Sequence, residues 1–142
     1  MDNWIRLYAL GDDFNVDAFL ATTSMPANLI WRRGEPKGGG GAFYPTSGVA
    51  FNLGDAKATP FPEQESIALA FLKTNRGELK ALGQFPGVTH FTLGLQYSRE
   101  FHGNFLGFCM CASPLLMWHL LDVGCTLSHY VWLERTDVED NA

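Results

Sequence analysis

Basic residues are scarce in this sequence compared with acidic ones. Ten lysines and arginines stand against fifteen aspartates and glutamates, which gives a formal net charge of −5. A protein that binds nucleic acid without sequence preference needs a basic face to neutralise phosphates. We therefore expect no nucleic-acid partner, whereas a basic protein partner, such as a toxin domain, is compatible with this charge.

The sequence also has no secretion signal and no long apolar run. It begins MDNWIRLYALGDD, with three acids and without a small-residue cleavage site behind an apolar stretch. Nothing approaches the roughly 20 apolar residues that a membrane-spanning helix requires. We expect a cytoplasmic protein with no membrane contact.

Cysteine is rare, and its spacing argues against a metal site. Of Cys109, Cys111 and Cys125, the first two lie one residue apart in a strand-like run. An odd number of cysteines without a secretion signal predicts reduced, buried thiols. A zinc site that adds His119 would need cysteine pairs carried by turns rather than by a strand. No metal and no cofactor are expected.

Motifs for catalysis are missing as well. No HExxH or GxSxG pattern occurs, and the glycine run at 38–41 lacks the Lys-Ser/Thr pair of a phosphate-binding loop. The cysteines of the apolar run should carry raised pKa values and be unreactive. We expect no catalytic residues and a protein that is not an enzyme.

The residues that are present predict one globular domain. Hydrophobic residues make up 46% of the chain, and eleven phenylalanines, four tryptophans and four tyrosines can fill a core. A chain of 142 residues is the size of one domain. We predict a single domain over 1–134 and an acidic, disordered tail over 135–142.

Hydrophobic periodicity and capping residues predict the element order β-α-β-β-α-β-β-α-β. This order favours an α+β fold, a mainly antiparallel sheet with about three helices and with parallel pairs where a helix crosses over. A strand-helix-strand plan recurs at both ends, which suggests a degenerate internal duplication. The predicted strands cover 5–10, 29–33, 49–53, 91–97, 105–112 and 127–134, and the predicted helices lie near 15–23, 62–82 with a break at Gly77, and 113–124. Asn15 and Ser113 are the predicted N-caps, and Gly124 is the predicted end of the last helix. The side chains predicted to share one face are Ile5, Leu7 and Ala9 on the first strand, Ile67, Ala70, Phe71 and Thr74 with Ala68 and Leu72 beside them on the second helix, and Leu116, Leu120 and Val123, widened by Met117 and Leu121, on the last helix.

Paired acids follow the first predicted strand. Asp12 and Asp13 lie where the chain passes from strand to helix, and carboxylates there meet free backbone N–H groups and the positive end of the helix dipole. Helix initiation is the simplest interpretation. The alternative is that one carboxylate is exposed to a basic partner.

The segment WRRGE, residues 31–35, allows two interpretations. An edge strand kept soluble by its charges would place Arg33 on the same side as Trp31, where it could cover the ring. Alternatively, Arg32, Arg33 and Glu35 form a small anion site beside the glycine run, which we predict to be a mobile surface loop.

Two aromatic residues lie in that glycine-rich loop. Phe43 and Tyr44 follow the four glycines directly. Aromatic side chains on such a segment either fold back over the sheet or bind something. In the second case they would be interface anchors.

The opening stretch resembles an uncharacterised bacterial family, domain of unknown function 4279. The likeness lies in a strand, GDD, a short helix and WRRGE, where Trp31, Arg32, Gly34 and Glu35 match and Arg33 replaces an expected lysine. The closing stretch ASPLLMWHLLDVGCTLSHYVWLE is similar to the family's last helix and strand. The resemblance implies a small acidic domain like the immunity proteins that neutralise bacterial toxins, and it implies no catalytic residues.

Three functions are compatible with these observations. The first is an immunity-type inhibitor that binds a toxin through acids such as Asp12, Asp13, Asp55 and Glu63, with the two loop aromatics as anchors. The second is a small-molecule or peptide-binding module, or an enzyme, with a pocket at Trp31, Arg32 and Arg33. The third is a structural domain that homodimerises through an open sheet edge, so both a monomer and a homodimer are open.

Overall fold

The structure is a computed structural model that describes residues 3–101 and 111–135. Its elements, in chain order, are β1 (Trp4–Gly11), α1 (Val16–Leu20), β2 (Leu29–Trp31), β3 (Ser47–Asp55), α2 (Phe61–Thr74), α3 (Arg76–Gly83), β4 (His90–Phe101), α4 (Pro114–Val123) and β5 (Thr126–Arg135). The predicted α+β class is confirmed. Among the described residues, no helix has the length and apolar character needed to cross a membrane.

The strands form one mixed sheet in the order β2-β3-β1-β4-β5. The pairs β2–β3, β1–β3 and β1–β4 are antiparallel. Only β4 and β5, which α4 connects, are parallel. The sheet is mixed and mainly antiparallel, but its parallel pair joins β4 to β5, whereas we expected parallel pairs between the strands predicted to flank the first and the last helix.

The helices pack against one face of this sheet and leave the other face open. Along β1, Ile5, Leu7 and Ala9 are fully buried, while the residues between them are partly exposed. The buried set joins apolar side chains from all four helices in one core, among them Phe19, Leu72, Leu79, Leu82, Leu116 and Leu120. Alternation with a period of two therefore separates a covered face from an open face.

Local signals place several helix ends correctly. The side chain of Asn15 accepts a hydrogen bond from the N–H of Ala18 at 3.1 Å, and that of Ser113 accepts one from Leu116 at 3.2 Å. Gly124 ends α4 with a φ of +76°, a conformation that favours glycine. Both predicted N-caps and this predicted C-terminal stop are confirmed.

Two expectations about the helices are wrong. The break in the second helical region lies at Asn75 rather than at Gly77, which belongs to the first turn of α3. In α4, Met117 and Leu121 do not widen the core stripe, because Leu121 is 75% exposed and Met117 is exposed as well. Leu116, Leu120 and Val123 do form the buried stripe that we expected.

The predicted hairpin partner of β4 lies largely outside the described residues. Of the segment 105–112, only Cys111 and Ala112 are described, and neither is in a strand. The two described neighbours of β4 are β1 and β5. The proposed duplication is not reproduced in the pairing at the N-terminal end, because β3 separates β1 from β2.

The C-terminal boundary shifts by one residue. Arg135, which we assigned to the tail, is the last residue of β5. The rest of the predicted tail, 136–142, lies outside the described residues.

Candidate functional site

The open face of the sheet carries aromatic side chains on its middle and outer strands. On β1, Trp4 and Tyr8 flank Arg6, and all three point away from the helices. The neighbouring strands add Trp31 from β2 and the pair Tyr130 and Trp132 from β5. The antiparallel and parallel registers bring these alternate residues to one side.

Together these side chains enclose a shallow concavity of about 350 Å³. Among the described residues that line it, five are aromatic and one, an arginine, carries a permanent charge. The lining residues are Trp4, Arg6, Tyr8, Trp31, Ala50, Gly94, Gln96, Tyr130 and Trp132. We name this feature the aromatic concavity.

Small residues make room for the rings. A Cβ atom added to Gly48 would collide with the indole of Trp31, and one added to Gly94 would lie 3.0 Å from the ring of Tyr130. Ala50, opposite Tyr8 on β3, also lines the concavity. The rings of Trp31 and Tyr130 therefore occupy the space above strand positions that carry no side chain.

Hydrogen bonds within the sheet hold the polar parts of the concavity. The Nε of Arg6 donates to Oδ1 of Asn52 at 2.9 Å. Gln96 accepts from the indole N–H of Trp132 at 3.4 Å and donates its own Nε2 hydrogen to the carbonyl of Trp4 at 3.1 Å. These bonds restrict the side chains to one arrangement before any partner arrives.

Two phenolic hydroxyl groups lie close together in the concavity. The hydroxyl oxygens of Tyr8 and Tyr130 are 3.5 Å apart. Burial, with the Tyr130 hydroxyl as a further cause, raises the pKa of Tyr8 to about 12. The Tyr8 hydroxyl is therefore protonated at physiological pH, and each of the two hydroxyl groups can donate or accept a hydrogen bond.

Of the site residues predicted from WRRGE, only Trp31 lines the aromatic concavity. Its ring lies 6.3 Å from that of Tyr44, and Arg33 does not cover it among the contacts described. The strand ends at Trp31, two residues earlier than predicted. The backbone N–H of Arg33 donates to the Ser47 hydroxyl at 2.9 Å, at the turn that follows β2.

Arg32 is engaged with two carboxylates. It makes a two-pronged contact with Asp17 of α1, at 2.9 and 2.7 Å, and lies 3.7 Å from Glu35. The hydrogen bonds from Arg32 hold the pKa of Asp17 below its ordinary value. The Arg32 guanidinium is therefore already paired with the carboxylates of Asp17 and Glu35. An anion that bound to Arg32 would have to displace both acids, which disfavours the predicted anion site.

The glycine-rich segment forms the tip of a short hairpin. Backbone hydrogen bonds join Lys37 to Ala42 at 2.8 Å and Tyr44 to Glu35 at 3.0 Å. Phe43, which we considered as an anchor, is 62% exposed. Tyr44 is partly buried against Trp31, with the Lys37 ammonium 5.9 Å from its ring centre. One predicted anchor is thus exposed and the other supports the concavity.

The predicted acidic residues do not share one surface. Asp12 and Asp13 are exposed in the turn after β1, and Asn15, not either aspartate, caps α1. Asp55 lies at the opposite end of β1, where it pairs with Trp4. The acids chosen as a partner surface thus lie at both ends of an eight-residue strand.

The described cysteines and histidines do not assemble into a metal site. Within residues 3–101 and 111–135, no group of three His, Cys, Asp or Glu side chains could hold a metal ion. Cys125 is buried as expected, and burial raises its pKa to about 12. Cys111 is exposed, contrary to expectation, and Cys109 lies outside the described residues.

Most of the concavity is not among the predicted site residues, although the alternation of aromatic residues along β1 and β5 is visible in the sequence. In WIRLYALG the apolar face of β1 was recognised, but the opposite face, Trp4, Arg6 and Tyr8, was not considered as a site. The same alternation places Tyr130 and Trp132 together on β5. Only the strand order, with β1 and β4 in the middle, brings the two sets together.

Comparisons with protein-family models, with curated proteins and with solved structures found no match for this chain. The resemblance to domain of unknown function 4279 therefore stays a prediction.

Proposed function

We propose that this protein is a non-enzymatic binding protein that holds a partner protein in the aromatic concavity. The observation that carries the proposal is the concavity itself, in which five aromatic rings from three strands surround small residues on a sheet face that none of the described helices covers. A sheet face that only had to be solvated would carry polar side chains at these positions.

The composition of the concavity resembles the centre of a protein interface. Interface cores are enriched in tryptophan, tyrosine and arginine and depleted in lysine and acids. The lining residues that the structure describes follow this pattern, with three tryptophans, two tyrosines and one arginine, and with neither a lysine nor an acid among them. An exposed apolar side chain lies beside it, because Leu29 is exposed and lies on the same side of β2 as Trp31.

An immunity-type inhibitor fits this surface, and we propose that role for the partner contact. Such an inhibitor needs a rigid surface that covers a toxin's active region, which the hydrogen-bonded concavity supplies. The net charge of −5 would speed association with a basic toxin. The contact surface differs from the acidic one that we first predicted, since those acids lie at separate ends of the sheet.

A photo-crosslinking experiment tests the proposal. The photoreactive residue p-benzoylphenylalanine replaces Trp4, which is 43% exposed and lines the concavity. Matched variants carry it at Phe43 on the loop and at Trp118 on α4, which is 58% exposed and far from the lining residues. After irradiation in the native cells, we expect a protein adduct of defined mass from the Trp4 position and not from Trp118.

The identity of the adduct decides the second part of the proposal. If the crosslinked protein is a toxin, adding the purified chain should suppress its activity, and Trp4→Ala should weaken that suppression. An adduct confined to Phe43 would contradict the concavity as the contact surface. No protein adduct, together with a small compound retained in native mass spectrometry, would favour the second candidate, a small-molecule-binding module, which the concavity volume also permits.

A further inference from the structure

We propose that α4 is the contact surface for a second copy of this chain, with the two α4 helices packed antiparallel about a two-fold axis at Trp118. The inference does not depend on the proposed function, because α4 belongs to the helix layer and the aromatic concavity lies on the other face of the sheet. Three observations support it: the exposed apolar face of α4, the symmetry of its sequence and the charges at its two ends.

The outer face of α4 is apolar and exposed. While the other side of the helix is buried in the core, Leu115 is 51%, Trp118 58% and Leu121 75% exposed. Residues three apart are neighbours on a helix, so these side chains form one stripe, which Met117 widens beside Leu121. Asp122 is the only Asp, Glu, Lys or Arg among the ten residues of α4. A helix that is apolar all round is typical of buried helices, so this pattern predicts a partner on the exposed side.

The sequence of α4 is nearly symmetric about Trp118. In LLMWHLL, residues 115–121, leucines lie two and three positions before the tryptophan and two and three positions after it. In a two-fold contact, the same surface of both copies must be complementary to itself. When two such helices pack antiparallel with the axis at Trp118, Leu115 of one copy lies opposite Leu121 of the other, and the two indoles are neighbours. The stripe thus meets the requirement that a second copy imposes.

The two ends of α4 have surroundings of opposite charge. At the C-terminal end, Arg76 and Lys80 of α3 surround the single carboxylate of Asp122, and the side chain of Arg76 is 54% exposed. At the N-terminal end, the carboxylate of Glu65 accepts a hydrogen bond from the backbone N–H of Ser113 at 3.2 Å. An antiparallel pair places the cationic end of one copy beside the acidic end of the other. This charge complementarity favours the antiparallel arrangement.

The size of the stripe predicts a weak dimer. Its side chains supply on the order of 400 Å² per copy, which is half of the ~800 Å² that each partner buries in a standard interface. Contacts at the small end of this range are typical of transient complexes. We therefore expect a dissociation constant on the order of 10–100 μM.

Concentration-dependent measurements on the full chain test the dimer. Sedimentation equilibrium from about 5 μM to about 1 mM should show a monomer at the low end and a dimer at the high end. In nitrogen-15 correlation spectra over the same range, the indole N–H signal of Trp118 should shift with concentration. The indole signals of Trp4, Trp31 and Trp132, which line the concavity, should not shift.

Variants connect the dimer to α4. Leu121→Glu places a carboxylate opposite Leu115 of the second copy and should weaken the dimer roughly tenfold or more. Leu115→Glu, at the other end of the stripe, should have the same effect, so one variant suffices if the other does not fold. Phe43→Glu is the matched control, because Phe43 is 62% exposed on the hairpin tip, and it should leave the dissociation constant unchanged.

Cysteine pairing tests the direction of packing. In a chain that carries Cys109→Ser and Cys111→Ser, the Leu115→Cys and Leu121→Cys proteins are mixed and oxidised. We expect the disulfide between positions 115 and 121 of different copies to form in preference to either symmetric disulfide. A preference for the symmetric disulfides would refute the antiparallel axis at Trp118.

Other results would overturn the inference as a whole. These are a monomer at the highest concentration, a dimer that Leu121→Glu leaves unchanged, or concentration-dependent shifts at Trp4 instead of Trp118. A foreign protein photo-crosslinked at Trp118 would assign α4 to a different partner and overturn it as well. An adduct of two copies at Trp118 would support it, and its mass, twice that of the chain, distinguishes it from the foreign adduct expected at Trp4. Each proposal can therefore fail without the other.

Discussion

At the scale of single residues, Tyr8 connects the open face to the stability of the fold. Its side chain is bordered by Tyr130 and Ala50, and burial raises its pKa to about 12 from an ordinary value of 10.0. The folded protein therefore holds this proton more tightly than the unfolded chain does. This difference adds to the free energy of unfolding at pH values below the pKa that Tyr8 has in the unfolded chain. The added stability is lost as the pH rises through the pKa of Tyr8 in the folded protein.

We predict that Tyr8→Phe reduces the loss of stability between pH 10 and 12, the window that the two pKa values of Tyr8 define. Denaturant midpoints measured across this window should fall less steeply in the variant than in the parent. Because burial also raises the pKa of Cys125 to about 12, both proteins should carry Cys125→Ala. If the denaturant midpoints of the two proteins fell equally steeply with pH, Tyr8 would not hold its proton more tightly in the folded protein than in the unfolded chain.

Which residue contacts could be foreseen depended on their separation along the chain. The caps Asn15 and Ser113 bond to N–H groups three residues away, so the local pattern was enough. The ion pair between Arg32 and Asp17 spans fifteen residues and depends on how β2 passes α1. The same is true of Trp31 over Gly48, which needs the register of β2 on β3.

At the scale of elements, α2 shows how a hydrophobic pattern can misplace the centre of the buried face. The pattern predicts a stripe of Ile67, Ala70, Phe71 and Thr74 with Ala68 and Leu72 beside it. The buried positions are Gln64, Ala68 and Leu72, and Ile67 and Phe71 are partly buried against the core. A buried glutamine counts as polar in any periodicity analysis, so the predicted buried face of α2 is rotated about the helix axis relative to the observed one. Its burial is explained by hydrogen bonds that no sequence pattern reveals.

The carboxamide of Gln64 pairs with backbone groups of β4 beyond the point where the pairing with β1 ends. The pairing of β1 with β4 ends at Arg6 and Gly94. Two residues further along β4, Gln64 donates to the carbonyl of Gln96 at 2.7 Å and accepts from its N–H at 3.1 Å. Further bonds reach the carbonyls of Ala56 and Thr59. The helix thus satisfies peptide groups at the strand that carries part of the concavity.

We predict that Gln64→Leu destabilises the protein by about 1–3 kcal/mol, because the buried peptide groups of Gln96 lose their partners. Urea unfolding would measure the difference. Ser66→Ala on the same helix is the control, since Ser66 is exposed and its hydroxyl contacts only the carbonyl one turn earlier. A Gln64→Leu protein as stable as the parent would show that the apolar gain outweighs the lost bonds.

At the scale of the whole molecule, the described residues form a two-layer arrangement in which no described helix packs on the second face of the sheet. The fold class followed from the order of elements, but the parallel β4–β5 pair and the position of β1 between β3 and β4 did not, because the predicted order placed a further strand over 105–112 before the last helix. Because the concavity draws on all five strands of the sheet, it depends on that order. A site built from one to three residues of each of five strands leaves no contiguous motif in the sequence.

This dependence predicts that the site and the fold respond together to a change at Gly48. A Cβ atom there would collide with the ring of Trp31 and lie 2.8 Å from the carbonyl oxygen of Ala9. Gly48→Ala must therefore displace the indole or separate two neighbouring strands, and we expect a loss of about 1–3 kcal/mol, as for other overpacked positions. Urea unfolding, together with the indole N–H signal of Trp31, would measure both effects.

Gly77→Ala supplies the matched control for this change. Gly77 is exposed in α3, and a Cβ atom added there meets no heavy atom within 4 Å. Alanine in a helix is favoured over glycine by roughly 0.5–1 kcal/mol, so this variant should be at least as stable as the parent and keep the Trp31 signal unchanged. If Gly48→Ala behaved in the same way, the ring would not rest on the strand, and the concavity would lack the fixed floor on which its binding depends.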